Sequence, residues 1–144
     1  MVHEMRQSDV FGVAEIERLC FSDPWSLKSV KEGLESSLDT WLVLEEEGQV
    51  LGYCVFRIIA GEGELLRIAV LPAYRGRGLS KKLMDRLVES SRENGVKSLS
   101  LEVRESNKRA RNLYRSYGFE EETIRKNYYL NPFENAIIMW NRRI

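Results

Sequence analysis

Between Trp41 and Val70 the chain offers three strand-like runs and no room for a helix between them. Trp41–Glu45, Val50–Ile59 and Glu64–Val70 are rich in β-branched and aromatic residues, and Glu47-Gly48 supplies a turn between the first two. Parallel neighbours need a crossover of about a dozen residues or more, so strands this close in sequence pair antiparallel. Pro72 stops the third run. Leu79, Leu83, Met84, Leu87 and Val88 then make a helical stripe that ends at Asn94-Gly95. Ser98–Val103 alternates strictly, with Leu99, Leu101 and Val103 on one face. Asn107 can cap a helix bearing Ala110, Leu113, Tyr114 and Tyr117 that ends at Gly118. Two strand–helix–strand units follow the meander, and such units pair in parallel.

The N-terminal stretch has helical spacing. Ser8 or Asp9 can cap a helix carrying Val10, Val13, Ile16 and Cys20, and Asp23-Pro24-Trp25 interrupts it. Ser26 can cap a second helix, with Trp25 and Val30 at staple spacing, and Gly33 keeps it short. Two final strands, Glu120–Tyr129 and Ala136–Asn141, flank a loop with Asn131-Pro132. With an opening strand, the order is strand, two helices, three strands, helix, strand, helix, two strands. The expected class is α/β (α+β): a mixed, mostly antiparallel twisted sheet with helices on both faces. At 144 residues, with no linker or repeat, residues 1–144 read as a single domain, long enough to bury roughly two-thirds of its unfolded surface.

Charge excludes several functions. The 22 basic and 22 acidic side chains cancel, so no global field favours nucleic acid or an anionic membrane. One histidine, His3, removes zinc motifs that need two and argues against a histidine-based triad; no metal site is expected. Cys20 and Cys54 lie far apart without C-x-x-C spacing and read as reduced, buried thiols, with a disulfide left open. The N-terminus has no apolar signal-peptide core, and a cytoplasmic, non-membrane protein is expected.

Tyr74-Arg75-Gly76-Arg77-Gly78-Leu79-Ser80-Lys81-Lys82 lies between a strand and a strong helix. Its glycines let backbone N–H groups approach a ligand, and the helix N-terminus adds partial positive charge. Arg75, Arg77, Lys81 and Lys82 contribute four cations, with no acid until Asp85. The segment is suited to a phosphate or pyrophosphate. A Walker A loop fails here for want of the lysine and hydroxyl residue after its glycine, and G-x-G-x-x-G fails because Lys81 stands at the third glycine.

Arg75-Gly76-Arg77-Gly78-Leu79-Ser80 resembles the Gln/Arg-x-x-Gly-x-Gly/Ala loop of the GCN5-related N-acetyltransferases (GNAT), with Ser80 at the last small position. Phe21-Ser22-Asp23-Pro24-Trp25-Ser26, Arg67-Ile68-Ala69-Val70, Leu101-Glu102-Val103-Arg104, Asn107, Leu113-Tyr114, Tyr117-Gly118-Phe119 and Ile124–Tyr129 are similar to the RimI-type ribosomal-protein-alanine N-acetyltransferases. The resemblance spans nearly the whole chain. It implies direct acetyl transfer in a ternary complex, from acetyl-CoA to a protein N-terminal α-amine, the alanine of a small-subunit ribosomal protein. By resemblance, Ile68, Ala69 and Val70 pair with the pantetheine arm; Arg75, Gly76, Arg77, Gly78, Leu79, Ser80 and Lys81 hold the pyrophosphate; Asn107 contacts the cofactor. Glu102 is the implied proton acceptor and Tyr114 the implied donor, while Trp25 and Tyr128 flank the peptide. The partner implied is a protein N-terminus, with the enzyme a monomer or weak dimer.

The chemistry agrees with these roles. An α-amine has an ordinary pKa near roughly 7.7–8.0 and must lose a proton before it attacks a thioester. With a single imidazole in the chain, a carboxylate is the natural base. A phenol near about 10 can protonate a departing thiolate. Periodicity alone makes Glu102 a solvent-facing strand residue and Tyr114 a core residue beside Ala110 and Tyr117; the resemblance assigns them chemistry. Trp25 serves equally as a helix staple. Glu45-Glu46-Glu47 reads as a solvated turn. Arg104, Lys108, Arg109, Arg111 and Arg115 read as a solvated surface from which one could meet the 3′-phosphate of CoA. Acetylation of a small amine or a lysine is the enzymatic rival. A non-catalytic acyl-CoA-binding module would need neither Glu102 nor Tyr114.

Overall fold

The computed structural model describes residues 1–144. The elements, in chain order, are β1 (Val2–Glu4), α1 (Val10–Cys20), α2 (Leu27–Gly33), β2 (Asp39–Glu46), β3 (Gln49–Ile59), β4 (Glu62–Val70), α3 (Leu79–Glu93), β5 (Ser98–Arg104), α4 (Lys108–Ser116), β6 (Glu120–Tyr129) and β7 (Glu134–Asn141). The strands form one seven-stranded sheet in the order β1-β2-β3-β4-β5-β7-β6. Every neighbouring pair is antiparallel except β4 and β5.

Alternate residues of β2 supply two cores. Leu42 and Leu44, with Leu51, Cys54 and Phe56 of β3, pack on Leu83, Met84 and Leu87 of α3. Trp41 and Val43, with Tyr53 and Val55, pack on Val10, Val13 and Ile16 of α1 and Val30 of α2. Strands buried on both faces read as continuous apolar runs, which is why 41–44 and 50–56 lack a polar face. The mixed, mostly antiparallel sheet with helices on both faces is as expected. Cys54 belongs to the first core and Cys20 edges the second, so the two free thiols stand on opposite faces.

Local signals held where capping was unambiguous. Ser26 accepts the Ser29 N–H at 3.1 Å and starts the short α2. Asn107 accepts the Ala110 N–H at 3.2 Å and starts α4. Gly95 takes φ +71° behind α3. The expected cap of α1 is different: neither Ser8 nor Asp9 caps it with a side chain. A 3-10 turn over Gln7–Asp9 leads into the helix instead, and the Asp9 carboxylate reaches back to the Arg6 N–H at 2.8 Å. β4 and β7 each begin two residues earlier than their apolar runs.

The second strand–helix–strand unit does not make a parallel ladder. β7 inserts between β5 and β6, pairing with both in antiparallel fashion, so β6 becomes the outer strand. β5 and β6 share a direction without touching. The burial pattern gives the reason: β7 contributes the buried Ala136, Ile137 and Met139, whereas β6 is exposed along nearly its whole length. The apolar strand takes the inner place.

Gly52 marks a close approach of β3 to β4. A Cβ there would stand 2.9 Å from the Ala69 carbonyl oxygen, 3.2 Å from Val70 and 3.3 Å from Leu83. Sheet backbone cannot yield easily, so Gly52→Ala is expected to lower stability by about 1–3 kcal/mol. Urea unfolding of the two proteins checks this; an unchanged midpoint would mean that β4 shifts freely.

Candidate active site

The β4–β5 ladder is short. Its pairs run from Glu62↔Ser98 to Leu65↔Leu101. Beyond that point β4 stays with β3 as far as Val70↔Gly52, and β5 stays with β7 as far as Arg104↔Ala136. The two strands part and leave a cleft of about 480 Å³. A bulge sits at the parting point: Val55 faces Arg67 and Phe56 faces Leu65, so Leu66 is an extra residue in β4. Bulges bend a strand and re-aim its side chains, and they concentrate at sites of this kind.

Ile68, Glu102, Asn107 and Tyr114 all line this cleft. The alternation of β5 puts Leu99, Leu101 and Val103 into the core and turns Glu102 toward the opening, where its side chain is 23% exposed. Arg125 of β6 stands 3.4 Å from the Glu102 carboxylate. The same carboxylate acts on Tyr128 and raises its phenol above the ordinary value. Tyr129, also in the lining, is pushed up to about 12 by burial and then by the Glu102 charge. Tyr114 is buried on α4 against Phe119, with ring centroids 6.1 Å apart. Burial, then Tyr129 and Cys54, lift its phenol well above 10.0. The Glu102 carboxylate and the firmly protonated Tyr114 phenol thus share a cleft.

The glycine loop lies outside the cleft lining, at the start of α3. Gly76 has φ +82° and Gly78 φ +72°, and a Cβ on either would meet nothing within 4 Å. The glycines are required by backbone conformation, and the space above them is open. The four cations are not equivalent. Arg75 folds back, donating from Nε to the Val70 carbonyl at 3.2 Å and from Nη2 to Cys20 Sγ at 3.4 Å. Lys82 stands 3.8 Å from Glu46. Arg77 lies over the Tyr74 ring at 5.0 Å. Leu79 is buried in the first core, whereas Lys81 is exposed and Ser80 partly so. Near α4, Arg111 and Arg115 are bound to Glu121, and Arg104 to Glu134 and the carbonyls of Leu130 and Pro132. Of the five cations there, Lys108 and Arg109 are the ones outside ion pairs.

The profile of the acetyltransferase (GNAT) family matches residues 10–119. The chain belongs to this family. A Bacillus subtilis (strain 168) protein provisionally named ribosomal protein bS18-alanine N-acetyltransferase is 41% identical over 140 residues, covering 96% of this chain and 93% of its own length. The ribosomal protein bS18-alanine N-acetyltransferase of Haemophilus influenzae is 38% identical over 143 residues, covering 96% of each. The crystal structure of the ribosomal-protein-S18-alanine N-acetyltransferase from Escherichia coli superposes with a TM-score of 0.89 at 33% identity, over 97% of this chain and 91% of that one.

Within this GNAT fold, Trp25 stands outside the cleft lining. It packs edge-on against Trp41 at 5.7 Å and lies under the Arg67 guanidinium at 4.1 Å. Val70 and Tyr128 are likewise not lining residues, although Tyr128 touches Glu102 from the rim. His3 pairs with Val43 on β1, remote from the cleft residues in the sheet order; its ring nitrogens lie 3.8 Å from Asp9 and 3.9 Å from Glu45. Cys20, expected to be buried, is half-exposed and lines the cleft, and burial raises its thiol against the opposing pull of Arg75. Sequence reasoning missed Glu17, a fully buried acid that accepts hydrogen bonds from Tyr53, Arg67 and the Trp25 N–H. Its only signal was a helical position one residue from Ile16, which spacing alone cannot separate from a solvated flank.

The buried phenols make an alkaline prediction. Tyr114 and Tyr53 keep their protons in the fold above the ordinary 10.0, the first through burial and the second through burial and Glu17. The unfolded chain releases those protons near pH 10. Stability is therefore intact below about pH 10 and falls as pH climbs toward the folded values, by about 1.4 kcal/mol per pH unit for each such proton. Urea midpoints between pH 9 and 11.5 follow this decline. Tyr114→Phe should make it shallower by one proton's slope, and an unaltered slope would contradict the assignment.

Proposed function

We propose that this chain, as one catalytic domain over residues 1–144, acetylates a protein N-terminal α-amine in the cytoplasm, with acetyl-CoA as donor. The acceptor is the N-terminal alanine of a small-subunit ribosomal protein, as the names of the relatives suggest. The observation that carries the reading is the meeting of Glu102 and Tyr114 in the cleft where β4 and β5 part.

The chain fits the donor. Above Gly76 and Gly78 there is open space, their left-handed backbone turns amides outward, and α3 begins directly behind them. Lys81 and Arg77 are exposed there, and Arg75 can be released from Val70 to join them. The inner edge of β4 at Ile68, Ala69 and Val70 has no strand partner on the β5 side. Acetyl-CoA supplies an acetyl group activated as a thioester. Glu102 takes a proton from the incoming ammonium, directly or through water, and its partial exposure lets that proton leave to solvent. Tyr114 carries a proton to the sulfur side. Burial keeps that proton on the phenol until a thiolate is there to take it. Tyr128 and Arg125 hold the Glu102 carboxylate from β6.

Tyr114→Phe is expected to lower kcat by about 10²-fold or more while the acetyl-CoA KM changes by less than about threefold. Steady-state kinetics check this, and unchanged turnover excludes the acid role. Glu102→Gln is expected to lose rate at neutral pH and regain part of it above about pH 8, where the amine sheds its own proton. A pH–rate profile identical to the parent's would assign the base elsewhere. Intact-mass measurement of peptides incubated with acetyl-CoA tests the acceptor. Peptides with free N-terminal alanine are expected to gain one acetyl group, and an N-blocked, lysine-bearing peptide none. Acetylation of only the blocked peptide overturns the α-amine reading.

A further inference from the structure

Glu17 has no part in the proton transfers assigned above, yet it is the most densely bonded buried acid in the fold. It lies near the end of α1 and accepts hydrogen bonds from three separate segments: the Trp25 N–H at 2.7 Å, the Tyr53 hydroxyl of β3 and the Arg67 guanidinium of β4. Arg67 reaches it because of the bulge. Leu65 packs in the α3-side core and Leu66 against the α1-side core. Simple alternation would return Arg67 to the α3 side; the extra residue at Leu66 keeps it on the α1 side, where Ala69 also packs.

The guanidinium does more than neutralise Glu17. Its carbon lies 4.3 Å from the Phe21 ring centre and 4.1 Å from that of Trp25, and its Nη2 donates to the Asp23 carbonyl at 3.4 Å. Residues 21–26 have no helix or strand of their own, so no backbone ladder sets their place. Phe21, Ser22 and Asp23 nevertheless form part of the cleft wall together with Glu102 and Asn107. A planar, multiply donating cation sandwiched by two rings fixes direction as well as distance, which apolar contact alone does not.

We propose that Arg67, anchored by Glu17, is a positioning residue that clamps the Phe21–Trp25 segment to β4 and so sets the acceptor side of the cleft. The inference rests on the proposed acetyl transfer: the donor is assigned to the glycine loop and the free edge of β4, which leaves the wall built by Phe21–Asp23 to the acceptor. Arg67 itself moves no proton in the reaction.

Arg67→Met keeps the side-chain stem and removes the fork; Glu17→Gln keeps the shape and removes the charge; Arg67→Lys keeps the charge without the planar geometry. Arg67→Met and Glu17→Gln are expected to raise the KM for an alanyl peptide about tenfold and leave the acetyl-CoA KM within about twofold, with Arg67→Lys between these and the parent. Hydrogen exchange supplies a readout independent of any acceptor. In Arg67→Met the hydrogen-bonded amides of Phe21 and Trp25 are expected to exchange at least about tenfold faster, with those of α3 unchanged. Unchanged exchange at Phe21 and Trp25 overturns the clamp. So does loss of protection across the whole sheet with both KM values rising together, which would make the pair a general stabiliser. If the parent protein acetylates no alanyl peptide, the acceptor assignment fails by itself, and the exchange comparison still decides whether Arg67 holds the segment.

Discussion

The site depends on a ladder that stops early. β4 and β5 pair over four positions and then follow their outer partners apart. Each strand has a strong reason to leave. β3 and β4 are joined by a tight turn at Ala60-Gly61, and β5 and β7 are paired along the length of β5. A parallel pair in mid-sheet is the weaker junction, because it is neither a hairpin nor slightly favoured per residue as antiparallel pairing is. The opening exposes main-chain groups that would otherwise be sheet-bonded, and such groups need partners. The Val70 carbonyl shows the demand: Arg75 Nε and the Cys20 thiol both converge on it. A ligand that presents amides of its own can take over that edge.

Charge is arranged to match. The chain is neutral as a whole, with 22 charges of each sign, and many of its arginines are spent in local pairs with Glu121, Glu122, Glu134 and Asp39. Pairs this exposed contribute little to stability. At the exposed start of α3, by contrast, Arg75, Arg77 and Lys81 stand close together in the chain outside any ion pair. An anionic group approaching this surface therefore meets concentrated positive charge at the glycine loop although the net charge is zero.

What could be read from the sequence was local. The alternation of Ser98–Val103, the Asn107 and Ser26 caps, the α3 stripe and the paired glycines each depend on residues within a turn or two of one another, and all reappear in the structure. The departures in topology and register are long-range. Nothing near β6 announces that β7 will insert beside β5, because that choice compares the apolar content of two strands against a core drawn from residues 42 to 119. The bulge at Leu66 is invisible for the same reason: it is a register relation between β3 and β4. Asp9 was read as a cap from its position, whereas its carboxylate serves the preceding 3-10 turn. Of the site, Glu102, Tyr114, Asn107 and Ile68 were named from resemblance and lie in one cleft, while Glu17 was unnamed because its partners come from 8, 36 and 50 residues away.

Those separations say why the acid is buried at all. A carboxylate taken out of water costs several kcal/mol, and even a well-paired one is often no more stabilising than an apolar residue of the same volume. Stability alone would be served as well by a leucine on this face of α1, among Val13, Ile16 and Val30. What a leucine cannot do is discriminate between positions of its neighbours. Apolar contact is non-directional and tolerates sliding, whereas three donors converging on two oxygens are satisfied in one arrangement of α1, β3, β4 and the 21–26 segment. A displaced segment would leave the Glu17 charge buried and unpaired, so the penalty for burying it turns into a penalty for misplacing the cleft wall.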